Sequence, residues 1–245
     1  METILYNIMN GSQSDFTRQT VTANNLANIN TPGFKADLYN AQSMYMSASS
    51  TEMTAMSVDM PLGNDFSDGE LITTGRDLDL AVQGKGWFAV QDGGGKEAYT
   101  RAGDFKLTEN GLLVTSSGRP VLGDGGPISI PPAQRINIGT DGTISIVPLD
   151  GAPNELAVLD RIKLVKAEFK DLIKGSDGLM RLNQGGKATT DPSITVIKGA
   201  LENSNVNAVE QMVSMITAGR EFDAHMKVMQ TVDENAQRLA QLLHE

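Results

Sequence analysis

The acids most able to do chemistry are Asp77 and Asp79, in the run Arg76-Asp-Leu-Asp79. Alternate residues of a strand lie on one face, so the two carboxylates could work as acid and base on a glycosidic bond. The same pair without an accompanying motif reads more simply as a polar strand edge or turn. The two histidines, His225 and His244, lie near the C-terminal end, and nothing around either has metal-ligand spacing. A solvated or packing role is the simpler reading for both. Gly84-Lys-Gly86 lacks the third glycine and the helix start of a dinucleotide loop. Gly93-Gly-Gly95 reads as a hairpin turn, and no helix follows Asp124-Gly-Gly-Pro127. No GxSxG or HExxH pattern is present. The chain has no cysteine, hence no disulfide, thiolate metal site or cysteine nucleophile. Asn10-Gly-Ser12 matches a glycosylation acceptor but falls inside an expected helix, and the single tryptophan, Trp87, reads as a core residue. These residues therefore predict no enzyme: no catalytic, cofactor-binding or metal-binding residues and no cofactor. A glycan-cleaving enzyme using Asp77 and Asp79 and a carbohydrate-binding β module stand as the alternatives.

Composition narrows the partners. A net charge of −10 over 245 residues opposes binding to nucleic acid phosphates and to anionic membrane surfaces. No stretch approaches the roughly 18 to 20 apolar residues needed to span a bilayer, so no membrane insertion is expected. The N-terminal segment lacks the basic region, apolar core and small-residue cleavage site of a secretory signal. A cytosolic location follows, unless the chain leaves by a route that reads no such signal.

The elements that would position any site come from hydrophobic spacing. Leu5, Ile8, Ser12, Phe16, Gln19, Ala23 and Leu26 recur at steps of three and four, the period of an amphipathic helix. Asn10, Asp15, Arg18, Thr22 and Asn25 fall on its other side, free to face water or a second neighbour. Gly11 weakens this helix by roughly 1 kcal/mol relative to Ala, and Pro32-Gly33 ends it. A second helix is predicted from Val209 through Met212, Ile216, Gly219, Phe222, Met226, Met229, Val232, Ala236, Leu239 and Leu243. Asn207-Ala-Val-Glu210 has the form of its capping box. Isolated helices of this composition are marginal in water. Each needs a partner, and the stripe on the second is longer than one partner helix covers.

Between the helices the grammar changes twice. Residues 36–68 are rich in Met, Ser and Thr without periodicity and read as an extended linker. From residue 69 to 200, short apolar runs such as Leu78-Val82, Trp87-Val90 and Thr143-Val147 alternate with Gly, Asp and Pro punctuation. That is the pattern of an all-β body, and the absence of βαβ alternation opposes a nucleotide-binding parallel sheet. The expected class is α+β: terminal helices pairing as a coiled-coil layer, with a central all-β domain inserted between them.

Several separated motifs then occur in one order. Asn24-Asn-Leu-Ala-Asn28 precedes Thr31-Pro-Gly-Phe-Lys35. Leu78-Asp-Leu-Ala-Val-Gln-Gly-Lys-Gly-Trp-Phe88, Tyr99-Thr-Arg-Ala-Gly-Asp-Phe105, Gly118-Arg-Pro-Val121 and Leu201-Glu-Asn-Ser-Asn-Val206 follow. Together they resemble the bacterial flagellar axial proteins over nearly the whole chain. The short length and single β body are most similar to the basal-body rod branch, of the proximal rod, with a distal-rod or hook-type subunit as the alternative. The resemblance implies a structural subunit of the periplasmic rod that assembles helically with itself and other rod proteins and transmits torque from motor to hook. It implies delivery by the flagellar type III export apparatus without a cleaved signal peptide. It also implies residues 1–35 and 201–245 as helices of an inner assembly domain, folding together on docking. The assembly interface would comprise Leu5, Ile8, Phe16, Asn24, Asn25, Leu26 and Asn28 with Val209, Met212, Ile216, Phe222, Met226, Met229 and Leu239. The three asparagines would bond neighbouring backbone or cap their own helix.

Overall fold

Pro32 and Asn207 bound two helices that bracket the rest of the sequence. The structure, a computed structural model, describes residues 2–39, 41–49, 52–59, 63–149, 156–183 and 185–242, with side chains for 5–39, 63–149, 156–183, 185–238 and 241. Its class is α+β, with an N-terminal helix, a C-terminal helix and a mainly β region between them in sequence. The residues sort into two units: Met1–Ile29, Ala36–Asp65 and Val206–Glu245 form one, and Asn30–Lys35 with Phe66–Asn205 the other.

In the first unit α1 runs Glu2–Ala27 and stops five residues short of Pro32, where the ring would remove a backbone donor. The long helix α2 runs Ala208–Leu242. Its cap is Asn207, whose Oδ1 accepts the N–H groups of Val209 at 3.0 Å and Glu210 at 3.3 Å, satisfying two of the donors that a helix start leaves free. Leu243 and His244 lie outside the described residues. Residues 36–65 are paired along most of their length: β1 (Asp37–Leu38) with β4 (Gly63–Asn64), and β2 (Ala41–Ser49) with β3 (Glu52–Asp59) as a long antiparallel hairpin. Composition had suggested only an extended connector there. The register pairs Met44 with Met56, Met46 with Thr54 and Gln42 with Val58, a period-two pattern of apolar positions that composition alone does not show.

The second unit is all β apart from a 3-10 turn at Phe169–Asp171. It contains β5 (Leu71–Thr73), β6 (Leu80–Gln83), β7 (Trp87–Gln91), β8 (Glu97–Thr100), β9 (Phe105–Leu107) and β10 (Leu113–Thr115). Then come β11 (Ala133–Ile138), β12 (Thr143–Pro148), β13 (Ala157–Arg161), β14 (Leu164–Lys166), β15 (Leu172–Lys174) and β16 (Met180–Leu182), followed by β17 (Thr189–Thr190), β18 (Thr195–Lys198) and β19 (Ala200–Glu202). The main sheet has the order β15-β16-β8-β7-β14-β17 with antiparallel pairings. β11-β12-β13 make a second sheet, and β18 pairs with β6, β19 with β5 and β10 with β9.

β7 is buried on both faces, which is why Trp87-Phe-Ala-Val90 is continuously apolar rather than alternating. Phe88 goes to one core with Leu80, Phe105, Leu113, Ile144, Ile162 and Leu164, meeting Phe105 edge-on at 5.1 Å. Trp87 and Ala89 go to the other with Tyr99, Val165 and Met180, and Phe66 meets the indole edge-on at 6.1 Å. At about 1.5–3 kcal/mol per large side chain, these cores supply the stability of the second unit.

Candidate functional site

Asp77 and Asp79 do not share a site. Asp77 is exposed and pairs with Lys198 at 3.0 Å. Asp79 is buried, accepts the Thr74 hydroxyl at 2.7 Å and lies 3.0 Å from the Arg76 guanidinium. Each acid is engaged in holding a strand end. Among the described residues no group of three or more His, Cys, Asp or Glu is placed to hold a metal, and no helix is long and apolar enough to cross a membrane.

The conspicuous surface lies on the helices of the first unit. Among the described residues of α1, Ile8, Ser12, Asp15, Val21, Thr22 and Asn25 are buried, four of the six polar, whereas Tyr6, Met9 and Phe16 face outward, Phe16 being 56% exposed. Ile8, Ser12, Asp15, Thr22 and Asn25 recur at steps of four, three, seven and three, along one side of a 3.6-residue spiral, with Val21 beside Thr22. Phe16 is one residue, or about 100°, round the helix from Asp15 and lies on its open side. On α2 the less exposed positions Gln211, Met215, Ala218, Phe222, His225, Met229, Val232 and Ala236 also recur at four and three. Beside them a second apolar stripe is open: Val209 is 71%, Met212 51%, Val213 58% and Ile216 58% exposed.

Of the interface residues expected from the sequence, Ile8 and Asn25 are buried. Leu5, Leu26, Asn28, Phe222 and Met229 are half-buried, and Phe16, Asn24, Val209, Met212, Ile216 and Met226 are exposed. The side chain of Leu239 lies outside the described residues. Asn25 uses both ends of its amide on one residue. Its Nδ2 donates to the Asp37 carbonyl at 2.9 Å, and its Oδ1 accepts the Asp37 N–H at 2.8 Å, as a neighbouring strand would. The same Nδ2 reaches Gln211 Oε1 at 3.3 Å across the helix pair. Asn28 Nδ2 donates to the Asn24 carbonyl at 2.9 Å, closing the last turn of α1.

Between α1 and α2 several polar groups meet. Arg18 pairs with Asp15 at 3.2 Å and with Glu221. His225 Nε2 lies 3.5 Å from Asp15 Oδ2, and the imidazole fills the notch left by Gly11, where a Cβ would stand 2.9 Å from His225 Cε1. Burial raises the Asp15 carboxyl above the ordinary carboxylate range, against the pull of Arg18.

The second unit holds what sequence reasoning missed. The Lys35 ammonium, 1% exposed, donates to Glu202 Oε1 at 2.7 Å and to the Ser67 carbonyl at 2.7 Å. Arg101 donates through Nη1 to Glu202 Oε2 at 3.0 Å and through Nη2 to the Gly84 carbonyl at 2.7 Å, and its guanidinium lies 5.4 Å from the centre of the Trp87 ring. Gly69 N–H completes the set on Glu202 Oε1 at 3.1 Å. Backbone follows side chain: Gly33 N–H donates to the Glu202 carbonyl at 2.7 Å and Asn205 N–H to the Phe34 carbonyl at 3.4 Å. The segment that follows α1 in sequence is thereby bonded to the segment that precedes α2. Lys35, Arg101 and Glu202 come from three separate motifs. Their opposite charges within otherwise apolar or Gly-rich runs were the available signal.

Comparison with known proteins gives the family. Residues 5–35 match the family model described as flagella basal body rod protein, and residues 81–146 match the flagellar hook protein FlgE/F/G D1 domain. Residues 197–242 match the flagellar basal body rod FlgEFG protein C-terminal model. Over 99% of both chains, the protein is 41% identical to the flagellar basal-body rod protein FlgF of Salmonella typhimurium strain LT2. It is 40% identical to FlgF of Escherichia coli strain K12 over the same shares. It is 34% identical to the flagellar basal-body rod protein FlgG of Bacillus subtilis strain 168, over 97% of this chain and 98% of that one. The chain belongs to the flagellar basal-body rod protein family of FlgF and FlgG.

Proposed function

We propose that this chain is a structural subunit of the bacterial flagellar rod, of the FlgF or proximal-rod type. It assembles helically with itself and other rod proteins through α1 and α2 and transmits torque from motor to hook. In this reading the helices form a coiled-coil inner layer, residues 1–35 and 201–245 being the assembly domain, 36–68 a linker and 69–200 the inserted β domain. The subunit reaches the periplasmic rod of the basal body through the flagellar type III export apparatus, without a cleaved signal peptide, and performs no catalysis.

One observation carries the reading. α1 turns a face inward that is largely polar, and the two helices leave Phe16, Val209, Met212 and Ile216 open to solvent. Burying each of those side chains on a neighbouring subunit contributes about 1.5–3 kcal/mol, so association is favoured where the single chain has nothing to cover them. Contacts between unlike faces, Tyr6–Phe16 of one copy and Val209–Ile216 of the next, are heterologous, the kind from which a helical assembly is built where the rotation does not close.

The test is complementation of a motile host lacking its FlgF with a tagged copy of this chain, followed by isolation of basal bodies. The reading expects restored swimming and the tag in the purified rod. A chain that stays soluble in the cell, with rods halted as in the deletion strain, contradicts it.

A further inference from the structure

The chain crosses between its two units four times, and every crossing adjoins residues 30–35, 66–70 or 202–205 of the β unit. Glu202 ties these three segments together. Its Oε1 accepts the Lys35 ammonium at 2.7 Å and the Gly69 N–H at 3.1 Å, and its Oε2 accepts Arg101 Nη1 at 3.0 Å from the body of the unit. Direct bonds add to this: Gly33 N–H donates to the Glu202 carbonyl, Asn203 N–H to the Glu70 carbonyl at 2.8 Å and Asn205 Nδ2 to the Ser67 carbonyl at 3.2 Å. At Gly69 a Cβ would stand 2.0 Å from the Asn203 carbonyl oxygen, so backbone lies directly on backbone. The Lys35 and Glu202 side chains are shut off from water, which therefore does not compete for their bond.

A bond between the first and last of these segments has a mechanical consequence. Tension running along the chain from residue 30 to residue 206 passes straight across Lys35–Glu202 and Gly33–Glu202, and bypasses everything between them in sequence. We propose that Glu202 is the hub of a mechanical clasp, which carries tension between the two ends of the inserted β unit and keeps it out of the β strands until the clasp opens. The purpose rests on the torque-transmitting reading above, whereas the clasp itself is a property of the single chain. Residues 36–65 are closed at their own root in the same way. Asp65 N–H donates to the Ala36 carbonyl at 2.8 Å, and Asn64 Nδ2 to Asp37 Oδ1 at 2.7 Å.

The chemistry suits resisting force more than adding stability. A buried ion cluster gains little over an apolar replacement, yet opening it one bond at a time strands the remaining charges away from water. Bonds between charged groups are also roughly twice as strong as neutral ones. An apolar contact between the same segments, being non-directional, would let them slide past each other.

Single-molecule stretching of the full-length chain tests the clasp. The chain has no cysteine, so Asn30→Cys and Val209→Cys, both at exposed positions, supply unique attachment points. Held between them at one fixed force, the chain should stay closed until the clasp opens and then release roughly 600 Å as the unit unravels. Lys35→Met should shorten the closed lifetime about tenfold or more, the scale of one lost bond to a charged group. Lys163→Met removes a comparable pair elsewhere in the unit, with Glu97 at 2.8 Å. It should lower the Trp87 unfolding midpoint but shorten the closed lifetime far less than Lys35→Met does. Asn205→Ala takes away the bond to Ser67 and spares the ion cluster, so it reports on the clasp even where Lys35→Met does not fold. It should shorten the lifetime about two- to tenfold. A lifetime unchanged in Lys35→Met or Asn205→Ala, or one shortened as much by Lys163→Met as by Lys35→Met, would overturn the proposal. Stretching is read on the chain by itself and complementation in the cell, so either can fail while the other stands.

Discussion

The Lys35 ammonium and the Glu202 carboxylate meet at 2.7 Å with both side chains shut off from water, although 166 residues separate them. Arg101 takes the second oxygen of the same carboxylate, so one buried acid answers two buried bases. Such a cluster contributes little net stability against an apolar replacement, but losing one member strands the others. Glu202→Gln should therefore destabilise the β unit by about 3–5 kcal/mol, read by denaturant unfolding of Trp87 fluorescence. Asp68 also touches Arg101, at 3.5 Å, but its side chain is 70% exposed. Asp68→Ala should stay within about 1 kcal/mol.

Gly33 should tolerate no side chain. Its φ is +67°, and a Cβ there would stand 2.2 Å from the Arg101 carbonyl carbon, which is backbone and cannot step aside. The left-handed conformation alone costs a non-glycine residue about 1–3 kcal/mol. Gly33→Ala should lose at least that much and break the bond from Gly33 N–H to the Glu202 carbonyl. Thermal unfolding followed at Trp87 measures the loss, and exchange of the Gly33 amide locates it.

Asp177 sets an acid limit on one hairpin. Its two oxygens accept Arg181 Nη1 at 2.8 Å and Nη2 at 2.7 Å, and the Arg181 hydrogen bonds hold the carboxyl down at about 2. A depressed carboxyl stabilises above its unfolded value near 3.8 and loses that contribution as pH falls toward 2. The unmodified chain should thus lose stability relative to Asp177→Asn as pH drops from 4 to 2, narrowing the gap between them. Parallel urea titrations at pH 6, 4 and 2.5 check the sign. Because the pair is partly exposed, the effect should shrink in high salt.

Much of this fold was legible in local spacing. Asn207 three residues ahead of Glu210 marked the start of α2, and Pro32 the limit of α1, because caps and prolines act within one turn of chain. The β body was readable from Gly-punctuated apolar runs. The face of α1 was legible only in part: Ile8 and Ser12 of the expected stripe are buried, whereas Phe16 is exposed. Hydrophobic periodicity assigns the apolar side inward, and here the inward side carries Asp15, Thr22 and Asn25, because the strand backbone at Asp37 and the α2 groups Glu221 and His225 supply partners that lie far off in sequence. The Lys35–Glu202–Arg101 cluster was hidden for the same reason. Its members belong to three motifs recognisable as a family pattern, while their joint burial exists only once β19 lies beside β5.

The most direct measurement uses the outward apolar residues. Phe16→Glu with Ile216→Glu changes two side chains that are more than half exposed, so the single chain should fold as before, with the Trp87 unfolding midpoint unmoved. Placed in a strain lacking FlgF, the doubly substituted chain should accumulate in soluble form, be absent from isolated basal bodies and fail to restore swimming. Its recovery in the rod in the same amount as the unmodified chain would contradict assembly through these helices.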